Sequence, residues 1–234
     1  MLTVEAPLVR GAEWGEILAA FDGVGGAPNG NAGRGGDALI EYFDKPDQRV
    51  DTTEGLKTLI REASQRILDW GLIEDTDRPK GAAADTIVWI IDGDALFSHA
   101  GDTEAWSRSG DQCRSLLSEP ENDEAIVQYF GRGRDLYLET GEIFSGGADR
   151  LLLFFDGLRK CVYHSAINHA LQYTSPKEDI VRELVEQAVR VGARDDVTVM
   201  LIEFGNYSSD ESTPLPPKVF ETETTGRFLP ELFS

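Results

Sequence analysis

Residues Asp85 to Leu117 read DTIVWIIDGDALFSHAGDTEAWSRSGDQCRSLL. Runs of β-branched, aromatic and aliphatic residues are broken by Asp92-Gly93 and by Ser109-Gly110-Asp111. Asp-Gly between two extended runs is the usual signal of a tight hairpin turn, so the stretch predicts three or four short strands in an antiparallel meander. Upstream, Glu16 to Phe21 (EILAAF) predicts a buried strand, followed by the Gly-rich loop DGVGGAPNGNAGRGG and a short helix, DALIEYF. Downstream, Asp149 to Leu158 (DRLLLFFDGL) predicts a strand running into a turn, and DDVTVMLIEF, Asp195 to Phe204, predicts a closing strand.

Helices occupy the intervals. Thr52 to Leu72 carries Leu56, Ile60, Ala63 and Ile67 at helical spacing, with Thr52 or Thr53 available to cap its start. Asn122 to Phe130 predicts a short helix, and RKCVYHSAINHAL, Arg159 to Leu171, a longer one. In PKEDIVRELVEQAVRVG, Ile180, Leu184, Val185, Ala188 and Val189 form one side and Gly192 the stop. Strands gathered in a meander with segregated helices give an α+β fold rather than a parallel α/β sheet. From Asn206 to Ser234 the composition shifts to Ser, Pro, Thr and acids, which predicts a tail that is partly disordered or docked through GRFLPELF.

The 234 residues suit one large domain, and 41% hydrophobic residues suffice for a core. A run of about 18 apolar residues, which a membrane helix needs, does not occur, and no basic-then-apolar signal peptide opens the chain. A net charge of −20 argues against nucleic acid and anionic membranes as partners. Cys113 and Cys161 fit no metal or redox spacing and read as reduced thiols of a cytoplasmic protein.

GRGGDA, Gly33 to Ala38, matches a dinucleotide-loop pattern, but that chemistry needs the loop directly between strand and helix. Here the strand ends near Phe21. No Walker Gly-Lys-Ser/Thr occurs. The three histidines are His99, His164 and His169; the last two are five apart and do not stack on one helix face. No Gly-x-Ser-x-Gly elbow is present. Catalysis in this chain would have to rest on carboxylates.

Asp22 ends EILAAF, Asp156 ends LLLFF, and Asp195 and Asp196 open VTVMLIEF. One acid at a strand end is an ordinary turn former. Three converge if their strands are neighbours, and clustered carboxylates then need a cation. An all-oxygen set suits Mg²⁺ or Mn²⁺. Spacing alone leaves both readings open.

Four segments, in order, resemble the metal-dependent Ser/Thr protein phosphatases of the PP2C type in their bacterial form: AAFDGVGG, GAAADTIVWIIDGDALFSHAGDTEAW, DRLLLFFDGL and GARDDVTVMLIEF. The resemblance runs from about Glu16 to Phe204. It implies a β-sandwich of two antiparallel sheets with helices outside, the PP2C-like α-β-β-α sandwich. It also implies one phosphatase domain over residues 1–205, with 206–234 as a separate acidic tail. By position, Asp22 would bridge two metals, Gly23 would lend its carbonyl, and Asp156 and Asp195 would complete one metal's shell; Asp196 stands where the family has Asn. The implied cofactors are two Mn²⁺ or Mg²⁺ ions. The implied activity is hydrolysis of phosphoserine and phosphothreonine by a metal-activated water, without a side-chain nucleophile. The implied partners are a phosphoprotein substrate and a cognate Ser/Thr kinase system.

The sequence also departs from that pattern. The family's opening Arg-x-x-Asn-x-Asp, whose acid binds the second metal, has no counterpart after MLTVEAPL; the start is truncated or that ligand is lost. Gly81-Ala82-Ala83 stands for Gly-Thr-Thr, Thr103-Glu104 for the Ser-Arg of the Gly-Asp-Ser-Arg turn, and SEPEN, Ser118 to Asn122, for the third-metal segment before a shortened flap. The alternative expectation is therefore a catalytically decayed PP2C-like regulatory or binding module.

Overall fold

The computed structural model describes residues 2–3, 16–23, 38–39, 50, 52–73, 83–91, 94–117, 128–143, 150–172, 175–204 and 218–225. Its strands are β1 (Leu2–Thr3), β2 (Glu16–Gly23), β3 (Ala83–Ile91), β4 (Asp94–Ala100), β5 (Glu104–Ser109), β6 (Gln112–Ser115), β7 (Glu139–Ile143), β8 (Arg150–Phe154), β9 (Val197–Glu203) and β10 (Lys218–Thr225). Its helices are α1 (Thr53–Ile73), α2 (Asp156–Arg159), α3 (His164–Gln172) and α4 (Lys177–Arg190). Two antiparallel sheets flanked by helices result, consistent with the PP2C-like α-β-β-α sandwich. The chain divides into two compact units, one per sheet.

The first unit, Pro7–Thr103 with Glu119–Ser145, holds a sheet in the order β2-β3-β4-β7. Its central strand, β3, is buried from Ala83 to Ile90. Ile87 and Trp89 of β3 pack with Leu56, Leu59, Ile60, Ala63 and Ile67 of α1. Those positions repeat every three or four residues, which keeps one stripe of the helix on the sheet. Thr52 caps α1: its Oγ1 accepts the Gly55 N–H at 3.1 Å. Ser64, buried on the same helix, accepts the N–H groups of Gly131 (3.0 Å) and Gly133 (3.1 Å), which ties the 131–133 turn to α1.

The second unit, Met1–Ala6, Glu104–Ser118 and Gly146–Ser234, holds a sheet in the order β1-β10-β9-β8-β5-β6. Leu152 and Phe154 of β8 and Val197, Val199 and Leu201 of β9 pack with Ile167 and Leu171 of α3 and Ile180, Leu184 and Val185 of α4. α4 ends in a Schellman motif: Ala193 N–H donates to Ala188 O and Gly192 N–H to Val189 O, with Gly192 at φ +86°. This closure sets where Arg194 to Asp196 enter β9.

Several expectations change. The meander is not one sheet: β3 and β4 form a hairpin in the four-stranded sheet, whereas β5 and β6 form a hairpin in the six-stranded one. The change falls at Gly101, which has φ +111° and lies so close to β3 that a Cβ there would sit 2.5 Å from the Ala84 Cβ. Arg159 to Leu171 is two helices with a break at 160–163, because Asp156 starts a separate turn of helix directly after β8. Phe130 does not end a helix; it forms a bridge with Ala83. Gln128 and Tyr129 are not helical either; the first part of that expected helix, Asn122 to Val127, lies outside the described residues, as do the Asp92-Gly93 turn, most of DALIEYF and GRFLPELF. Of the C-terminal stretch, Lys218–Thr225 forms β10, which pairs with β9 and β1.

Candidate functional site

In the six-stranded unit the site is built from the end of β8 and the start of β9. Phe155 stays extended (φ −89°, ψ 165°) and donates its N–H to Thr198 O at 3.2 Å. The ladder thus carries the chain to Asp156, which is buried at 7% exposure. Gly157 follows it for a reason other than turning. A Cβ on Gly157 would lie 2.2 Å from the Asp196 carbonyl oxygen, so only glycine lets this helix start pack against the Asp195–Asp196 backbone. That close approach draws Asp156, Asp195 and Asp196 into one corner.

Between the two acids lies Lys160. Its Nζ donates to Asp156 Oδ2 at 2.5 Å and to Asp195 Oδ2 at 3.1 Å. Asp156 and Lys160 are four residues apart at a helix start, where side chains meet. The Asp156 hydrogen bond foremost holds the ammonium above its ordinary range; partial burial opposes this and Asp195 adds to it. Asp195 Oδ1 accepts the Asp196 N–H at 3.1 Å, and Asp196 is exposed. Asp156 Oδ1 is buried with no hydrogen-bond partner. Behind this corner Glu104 accepts from Trp106 Nε1 at 2.9 Å and faces Arg159 Nε at 3.4 Å and His164 Nε2 at 3.7 Å.

The other predicted ligands belong to the four-stranded unit. Asp22, half-buried, is opposite Ala84 at the end of β2, and the exposed Gly23 is opposite Ala83. Nearby on β3 and β4 is a buried polar network. His99 Nε2 donates to Gly101 O at 3.1 Å, so its Nδ1 is the acceptor toward the hydroxyls of Thr86 (3.1 Å) and Thr103 (3.2 Å), which lie 2.7 Å apart: one hydroxyl donates to the ring and the other to its neighbouring hydroxyl. Burial lowers the His99 pKa, which agrees with this neutral tautomer. Asp85 is fully buried, neither carboxyl oxygen has a hydrogen-bond partner, and burial raises its pKa well above the usual carboxylate value.

A divalent cation of the hard type is held by oxygen lone pairs. Asp156 and Asp195 offer such oxygens, but an ammonium donating to both carboxylates occupies the space an ion bound to both would need. As arranged, the pair does not fit a divalent ion. Among the described residues no group of three or more His, Cys, Asp or Glu forms a metal-holding cluster. Sequence reasoning missed Lys160. Its signal was a lysine placed i+4 to Asp156, immediately after Asp-Gly-Leu-Arg.

The two sheets with their helices form a PP2C-like fold, and the chain is similar in sequence and fold to bacterial protein phosphatases. The chain is 24% identical over 218 residues to the protein phosphatase PhpP of Streptococcus pneumoniae, covering 83% of this chain and 88% of that one. Its fold matches the crystal structure of the serine/threonine phosphatase Stp1 from Staphylococcus aureus at a TM-score of 0.70 and 18% identity, over 82% of this chain and 85% of that one. It matches the Mycobacterium tuberculosis serine/threonine phosphatase PstP/Ppp at 0.65 and 20%, over 82% and 90%. No family model matches the sequence. The resemblance seen in the motifs therefore holds in fold and along most of the chain.

Proposed function

We propose that this chain is a PP2C-like regulatory or binding module in which a tethered ammonium has replaced metal chemistry at the Asp156–Asp195 pair. The observation that carries this is the Lys160 Nζ, 2.5 Å from Asp156 Oδ2 and 3.1 Å from Asp195 Oδ2. A lysine neutralises clustered carboxylates as a cation does. It does not acidify a bound water to hydroxide, which is the service a divalent ion gives in hydrolysis. On this reading Lys160 keeps the corner folded, and the module works by binding a phosphoprotein or a regulator of a Ser/Thr kinase system.

A second reading has support of its own. Similarity to PhpP, a protein phosphatase, spans 83% of the chain, and the buried Asp156 Oδ1 has lone pairs with no hydrogen-bond partner. In that reading Lys160 swings aside, Asp22, Gly23, Asp156 and Asp195, with Asp196 as the lesser candidate, hold Mn²⁺ or Mg²⁺, and the protein hydrolyses phosphoserine and phosphothreonine.

Calorimetric titration with Mn²⁺, alongside hydrolysis of an aryl phosphate, separates the two. The binding-module reading expects no tight Mn²⁺ site and no Mn²⁺-dependent turnover in the wild type. It also expects Lys160→Ala to gain a Mn²⁺ site on the freed carboxylates. Two tight ions with Mn²⁺-dependent turnover in the wild type would refute it and establish the phosphatase.

A further inference from the structure

Beside Lys160 the six-stranded unit opens into a cavity of about 890 Å³, a size typical of ligand clefts. It lies between the 159–163 turn, the first residues of α3 and the 191–195 segment after α4. Its lining reverses the charge of the protein. Arg159, Lys160 and Arg194 face one acid, Asp195, whereas the whole chain has 22 Lys and Arg against 42 Asp and Glu. Glu104 and Asp156 hold Arg159 and Lys160 from outside the lining. Arg194 is exposed and makes no hydrogen bond or ion pair among the described residues.

The rim is apolar. Only three large hydrophobic side chains are exposed among the described residues, and two of them, Tyr163 at 82% and Val191 at 61%, border this one cavity. An exposed aromatic and an exposed aliphatic beside an unpaired guanidinium match the composition of binding hot spots, in which Tyr and Arg are enriched. The hydrogen-bonded turn at 160–163 and the Schellman closure of α4 fix the backbone beneath these groups, which limits the ordering cost of binding.

We propose that this cavity is a docking site for an acidic peptide segment of a partner protein, one that places an apolar side chain next to its carboxylates. The carboxylates meet Arg194. The apolar side chain lies against Tyr163 and Val191. Charge complementarity selects the partner through Arg194, because Lys160 is already held by Asp156 and Asp195 and Arg159 faces Glu104: a neutral or basic segment would bring Arg194 no carboxylate. The proposal stands whether or not the Asp156–Asp195 pair takes a metal, because Arg194, Tyr163 and Val191 are not among those ligands.

The test is fluorescence anisotropy of the full chain with a labelled peptide of alternating Glu and Leu. A Lys-Leu peptide and the peptide GRFLPELFS, residues 226–234 of this chain, are the comparison arms. The expected result is saturable binding of the Glu-Leu peptide only. It should weaken about tenfold in Arg194→Glu and about fivefold in Tyr163→Ala, and weaken again as NaCl rises from about 0.05 to about 0.5 M. Both positions are exposed, and circular dichroism confirms that the variants fold. No saturable Glu-Leu binding, or binding indifferent to Arg194→Glu, would overturn the proposal. Tighter binding of GRFLPELFS than of the Glu-Leu peptide would overturn the partner and assign the cavity to the chain's own C-terminal segment.

Discussion

Replacing Asp85 by asparagine keeps the shape of the side chain and removes its proton equilibrium. In the folded chain Asp85 is fully buried and both oxygens lack hydrogen-bond partners, so the carboxyl keeps its proton well above the ordinary value of 3.8. The unfolded chain gives that proton up near 3.8. Above that pH the folded state binds more protons than the unfolded state, so this group's contribution to stability falls as pH rises. It is fully present only below 3.8. Where the folded-state carboxyl holds its proton and the unfolded one has lost it, the loss has a limiting slope of about 1.4 kcal/mol per pH unit, which sets the ceiling on the change between about pH 5 and about pH 7. Asparagine also leaves its polar atoms unpaired, but that cost does not vary with pH and cancels in the comparison. Urea unfolding of wild type and Asp85→Asn at both pH values measures the quantity directly. The variant should gain on the wild type as pH rises, by no more than that slope allows. A stability difference that is the same at both pH values would refute the reasoning, and would mean that Asp85 finds a partner or solvent in the folded chain.

Gly157→Ala should destabilise by about 2 kcal/mol or more in urea unfolding, because its Cβ would be driven onto a backbone carbonyl 2.2 Å away that cannot step aside. Ser64→Ala leaves the Gly131 and Gly133 amides buried without an acceptor. At about 1–3 kcal/mol per orphaned group, it should lower the melting temperature by several degrees and speed hydrogen exchange at those two amides. Thr52→Ala removes the cap on Gly55 N–H and should cost about 1 kcal/mol in the same assay. Thr52→Asn should restore most of that.

The α4 helix was legible in full, since its apolar stripe and its glycine stop are both local. The same holds for α1, whose cap is the Thr52 that the sequence offered. The short strands and turns of the meander were legible from the residues, but not the division of those strands between two sheets. Alternation and turn residues fix how adjacent strands pair, while the sheet a strand joins depends on contacts between distant segments. The helix read across Arg159 to Leu171 was wrong in its start because hydrophobic spacing there continues smoothly. The break follows from Asp156 and Gly157 being pinned to the β9 entrance.

By itself, then, the sequence determined the alternation of short strands with amphipathic helices, the strand-end placing of Asp22, Asp156 and Asp195, and the likeness to metal-dependent phosphatases. All of these are written in local order and motif. Tertiary structure alone decided the meaning of Asp156-Gly157, where glycine serves a close approach to the 195–196 backbone and not a hairpin. It decided as well that a lysine fills the corner those acids share. Residues 156 and 195 are far apart in the chain, and the distance between their carboxylates, along with the cation that spans it, is set by the packing of β8 against β9 and by nothing nearer in sequence.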